Sequence, residues 1–150
     1  MDPIVAEFLG TTILLLLGQG VVANVALSET TAAGEPKWMI VSTAWGLAVF
    51  VAVAMVGSFS GAHLNPAVTC GLVAIGKAPV DEAWAFIAAQ CAGATVAGAI
   101  TYTVFSAGIA ALEASSAIVR GTAASTASFA GAFGMGLRSC SCLRGRGGGQ

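Results

Sequence analysis

Residues 60–69 read SGAHLNPAVT, and the Asn65–Pro66 pair inside this stretch decides how the chain around it is organised. Asparagine is a preferred helix N-cap, and proline fits the first helical position, where a missing N–H costs nothing. The pair predicts a helix that starts at Pro66. The apolar run after it ends at Gly76–Lys77, so about eleven residues at ~1.5 Å each reach only halfway through a ~30 Å hydrocarbon layer. An Asn–Pro pair is often just a turn or a cap. Placed between a complete apolar span and a half-length one, it predicts a re-entrant half-helix whose positive dipole end and Asn65 amide face the middle of a membrane. Gly61, Ala62, His63 and Leu64 would then be extended, with carbonyls lacking helical partners. Irregular backbone at that depth is tolerated only where it is buried in protein or lines a wet cavity. Amide donors beside a row of carbonyl acceptors suit water or a polyol hydroxyl, and a positive helix end repels cations and protons. Such a site calls for permeation, not bond-making.

The chain on either side is apolar. Of 150 residues, 57% are hydrophobic and 9% charged, with seven acidic against six basic side chains. Soluble domains carry about 25% charge, so the apolar excess must face lipid. Near-neutrality argues against nucleic acid as a partner. At roughly 20 residues per crossing the length admits three or four spans and no extrinsic domain. The first runs from Pro3 to Leu27 and, with no basic residues before it, is expected to be retained as a membrane helix and not cleaved as a signal peptide. Charge, Gly and Pro in Ser28–Lys37 mark a loop. A second span covers Trp38 to about Val56, ended by GSFSG. After the polar break KAPVDE comes a third from Ala83 to about Ala111, in which Ala94 and Gly98 have the small-xxx-small spacing of close helix packing. Glu113–Ser128 reads as loop, and the Gly/Arg/Ser/Cys-rich end as a disordered or foreign tail. The predicted fold class is an all-α membrane protein with three transmembrane helices and one re-entrant half-helix. The four cysteines (Cys70, Cys91, Cys140, Cys142) have no zinc-like spacing, and neither a metal nor a cofactor is implied.

SGAHLNPAVT resembles the first signature of the aquaporin, or major intrinsic protein, family. AEFLGT at Ala6–Thr11 resembles that family's first helix, AWGLAVFVAVAMVG at Ala44–Gly57 its second, and KAPVDEAWAFIAAQCAGA its third, so the resemblance covers about Ala6 to Leu112. It implies a multi-pass cell-membrane channel for glycerol, water and small neutral solutes, tetrameric in the family, and not an enzyme.

Four further residues gain meaning. Glu7 is a carboxylate one turn into a span, where it either snorkels to the interface or faces a partner; the resemblance implies that it accepts hydrogen bonds from the backbone of Gly61–Asn65. Gln90 either braces the same loop or makes a plain helix–helix hydrogen bond. His63, the only histidine, reads by default as structural; the resemblance implies that its carbonyl lines the pore and its ring holds the loop. Trp45 is either a packed or lipid-facing aromatic, or the second-helix residue of the family's aromatic/arginine constriction. Glycerol facilitators resemble this sequence by carrying Trp there, which favours that branch of the family.

The family's pattern has two inverted repeats, and only one NPA signature is present. The second, NPAR, with its arginine, is missing; IVRGTAASTASFAGAF resembles the connector between repeats, which places Arg120 in a loop. The domain organisation expected is a first repeat over residues 1–112, an inter-repeat loop over 113–137, and an atypical tail over 138–150 of the kind a frameshift or premature end leaves. The expected function is a glycerol facilitator-like channel, truncated; the alternative is a truncated membrane protein that cannot form a pore alone.

Overall fold

A computed structural model describes residues 1–27, 37–115, 117–120 and 125. They form four helices: α1 (Pro3–Leu27), α2 (Lys37–Ser60), α3 (Pro66–Ala74) and α4 (Val80–Ser115), and no strand. Three of them, α1, α2 and α4, are long and apolar enough to cross a membrane; α3, at nine residues, spans only about 14 Å. The loop expected at Ser28–Lys37, apart from Lys37, and the tail over 138–150 lie outside the described residues, as does most of the connector over 113–137.

Three of the helix ends have a plain local cause. Asp2 Oδ1 accepts from the N–H groups of Ile4 (2.8 Å) and Val5 (3.3 Å) and opens α1, with Pro3 in its first turn. Asn65 is extended and its Oδ1 accepts from Ala67 N at 2.8 Å, which caps α3 ahead of Pro66. The same helix closes on Gly76 (φ 69°), whose N–H reaches Val73 O while Lys77 N reaches Leu72 O, the paired bonds of a Schellman ending.

Two ends differ from the sequence expectation. The sequence predicts that α2 stops near Val56, yet the helix continues through GSFS to Ser60. In an apolar surrounding a helix keeps its backbone satisfied until another partner is available. Here Gly61 N still bonds Gly57 O, whereas Ala62 N, just past the turn at Gly61 (φ 81°), goes to Ser60 Oγ. α4 runs to Ser115, so Glu113, expected in a loop, is helical and buried. Its burial is matched by Arg120, whose Nη2 lies 3.0 Å from Glu113 Oε2 and whose Nη1 lies 3.0 Å from the Tyr102 hydroxyl. The hydrogen bond to Glu113, followed by that to Tyr102, raises the Arg120 pKa above its ordinary value.

Small residues set the packing. α1 is central, with α2 and α4 both against it and α3 against α4; α2 and α4 do not meet. Ala6, Ala23, Ala48, Ala52 and Ala97 are buried at the contacts. The close approach of α1 and α4 falls on Gly93, where a Cβ would lie 2.5 Å from Phe8 O. The Thr12 hydroxyl lies 2.7 Å from Phe8 O and 3.2 Å from Gly93 O, which ties the two backbones at the crossing. The sequence points to Ala94 and Gly98 for this contact. Gly98 instead faces open space and Ala94 lines a groove, because the packing face is rotated by one residue, about 100°, onto Gly93 and Ala97.

Replacement of Gly93 by alanine must push the α1 backbone away, and is expected to destabilise the fold by about 1–3 kcal/mol. Gly98→Ala, with open space for its methyl group and better helix propensity, should instead stabilise the fold by about 0.5–1 kcal/mol. Unfolding in detergent followed by circular dichroism separates the two; equal effects would contradict this account of the crossing.

Candidate functional site

The Glu7 carboxylate is fully buried and receives four hydrogen bonds. Oε1 accepts from Ser60 Oγ (2.6 Å) and His63 N (2.9 Å). Oε2 accepts from Leu64 N (2.7 Å) and Gln90 Nε2 (2.7 Å). Ser60 Oγ in turn accepts from Ala62 N at 3.1 Å. One α1 side chain thereby joins the end of α2, the loop before α3, and α4.

The loop it holds is costly to form. Ala62 (φ 51°) and Leu64 (φ 54°) lie in the left-handed region, which costs an L residue roughly 1–2 kcal/mol. Leu64 is anchored a second time by its side chain, which packs with Ala6, Ala52 and Val56 into the space left by Gly10, where a Cβ would lie 2.5 Å from Leu64 Cδ2. The carbonyls of Gly61, Ala62, His63 and Leu64 accept no hydrogen bond among the described residues.

A polar chain extends from this centre. The second hydrogen of Gln90 Nε2 goes to Thr69 Oγ1 at 3.0 Å. Both hydrogens are thus engaged, and reversing the carboxamide would set its oxygen against Glu7. Gln90 Oε1 is buried without a partner among the described residues. Thr69 Oγ1 also lies 3.1 Å from His63 Nδ1 and 3.3 Å from Asn65 O. The His63 ring meets Phe86 edge-on, with centroids 5.2 Å apart. Sequence reasoning does not single out Ser60, Thr69 or Gly10, although Ser60 and Thr69 bound the quoted stretch and Thr69 stands one helical turn from Asn65.

Above this network lies a half-open groove of about 690 Å³. Trp45, Val49 and Val53 of α2 make one wall, Leu14 and Leu15 of α1 the floor, and Cys91 and Ala94 of α4 border the other side. Ala62, His63, Leu64, Asn65 and Pro66 enter it from the loop. The cap uses Asn65 Oδ1 and leaves Nδ2, on an exposed residue, with two hydrogens to donate. The groove therefore pairs an apolar wall with a short polar edge at a helix N-terminus, an arrangement suited to a neutral molecule carrying both carbon and hydroxyl surface. Among the described residues no group of three or more His, Cys, Asp or Glu side chains could hold a metal ion.

The family model for the major intrinsic proteins matches residues 1–141. The chain belongs to that family. A probable glycerol uptake facilitator protein of Thermotoga maritima is 45% identical over 105 residues, which are 70% of this chain and 44% of that protein. A glycerol uptake facilitator protein of Streptococcus pneumoniae is 44% identical over the same shares. The X-ray structure of the aquaglyceroporin from Plasmodium falciparum matches with a TM-score of 0.65 and 36% identity, over 71% of this chain and 43% of that one. This major intrinsic protein chain thus spans less than half the length of these relatives.

Glu7→Gln replaces one acceptor oxygen by an N–H₂ group that faces backbone or side-chain donors. The expected loss is about 2–4 kcal/mol, with hydrogen exchange at the His63 and Leu64 amides faster by roughly two orders of magnitude. Unchanged protection at those two amides would show that another contact holds the loop.

Proposed function

We propose that this chain, with no other protein, lines a membrane pathway through which glycerol, water and similar small neutral solutes pass passively, in the cell membrane. The observation that carries the reading is the groove itself, whose lining joins an apolar wall to Asn65, with two amide hydrogens to donate, and to Ala62, His63 and Leu64, whose carbonyls accept no hydrogen bond among the described residues. In this reading Asn65 donates to a solute hydroxyl and the carbonyls accept from it. Trp45 covers its carbon side. Glu7, Gln90 and Pro66 keep the loop and the head of α3 in place. The positive end of α3 disfavours cations. The glycerol uptake facilitators among the relatives support glycerol as the solute, and the family's tetramer is the assembly proposed for it.

A second reading is a membrane protein that conducts nothing by itself. It is favoured by the open side of the groove, since α2 and α4 flank α1 without meeting. Glycerol-driven reswelling of proteoliposomes containing only this chain distinguishes the two. Flux above that of empty vesicles is expected, and none at verified insertion would reject the pathway reading in favour of the second. Asn65→Asp sharpens the test, because it keeps the capping oxygen and removes both N–H donors. Loss of a solute hydrogen bond worth about 1.4 kcal/mol lowers glycerol flux roughly tenfold.

A further inference from the structure

Gly18 lies on the buried face of α1, away from the Glu7 network and from the crossing with α4 at Gly93. A Cβ at this position would lie 2.6 Å from Cζ3 and 2.7 Å from both Cε3 and Cη2 of Trp45. Three consecutive ring atoms at nearly one distance place that point over the face of the six-membered ring; beyond the ring's edge the middle atom would be far nearer than its neighbours. The indole therefore lies flat on the backbone of α1 at a residue without a side chain. Even a methyl group there would sit about 1 Å inside ordinary carbon–carbon contact. The ring cannot yield toward α1, so it must turn into the groove that it lines, or carry α2 outward. Gly20 and Gly46, close by in sequence on the same two helices, have nothing within 4 Å of where a Cβ would stand and exert no such constraint.

We propose that Gly18 is a positioning residue: it seats the Trp45 indole and so sets the width of the groove and the size of solute admitted there. The statement about solute size rests on the pathway reading above, whereas the seating of the ring does not. A shorter ring at position 45 would not reach the same spot, so the two positions should be coupled.

The test uses the full chain in phospholipid vesicles, with Trp38→Phe and Trp84→Phe so that Trp45 is the sole tryptophan. Gly18→Ala is expected to raise the acrylamide quenching constant about twofold and shift emission to the red, as an overpacked ring is displaced; Gly20→Ala should change neither. Stability supplies a second arm: Gly18→Ala lowers the unfolding midpoint when Trp45 is present and much less in the Trp45→Phe background. If Gly18→Ala prevents insertion with Trp45 but not in that background, the coupling is upheld. Failure in both backgrounds, or unchanged quenching, overturns the proposal. Where flux is measurable, the glycerol-to-water permeability ratio falls roughly tenfold in Gly18→Ala and recovers on adding Trp45→Phe. A quenching shift with coupled stability but no flux from any variant, the parent included, upholds the seating of the ring and rejects the pathway reading instead.

Discussion

Glu7 places two carboxylate oxygens where water does not reach, and donors from α2, the following loop and α4 converge on them. Burying a carboxylate is unfavourable unless its acceptor sites are filled. Here each oxygen has two donors. Hydrogen bonds to a charged group contribute about 1.5–3 kcal/mol each, which exceeds the roughly 1–2 kcal/mol of strain at each of Ala62 and Leu64. The strained loop and the buried charge therefore stabilise one another, and neither is tenable alone. Because Gln90 also holds Thr69, the same carboxylate reaches α3 through one intermediary.

Packing by small residues turns this local network into a shape. Gly93 lets α4 approach the α1 backbone, and Gly10 admits Leu64 beside Val56. With α2 and α4 each pressed onto α1 but not onto one another, the space between them is a groove and not a core. The loop is held by the bonds to Glu7 and by the packed Leu64 side chain, which leaves Asn65 exposed beside the groove.

Much of this is legible in the sequence because it depends on local rules. Pro3 and the apolar run after it mark the extent of α1, and Asn65–Pro66 marks the start of α3. What is not legible depends on partners distant in the chain. Gly57 and Ser58 look like a helix end, but the first N–H with a partner outside the helical pattern is that of Ala62, bonded to Ser60 Oγ. Glu113 looks like a loop residue until Arg120 is seen to pair with it. Ala94–Gly98 and Gly93–Ala97 have the same spacing, and only the rotation of α4 about its axis chooses between them. Ser60 and Thr69 are ordinary polar residues by sequence; their place in the network follows from Glu7, 53 residues before Ser60, and from Gln90, 21 residues after Thr69.

Those separations also order events in time. Glu7 is made well before its last partner, Gln90, which lies 83 positions later. At about 5–20 residues per second of synthesis, α1 waits roughly 4–17 s before the full set of donors exists. Until Ser60, His63 and Leu64 are made, 53, 56 and 57 positions on, its carboxylate has only water or lipid headgroups to accept from, near the end of the helix where they are within reach. The position of Glu7 one turn from the start of α1 thus suits both states: shallow enough to remain hydrated while the chain is incomplete, and deep enough to be enclosed once α4 arrives.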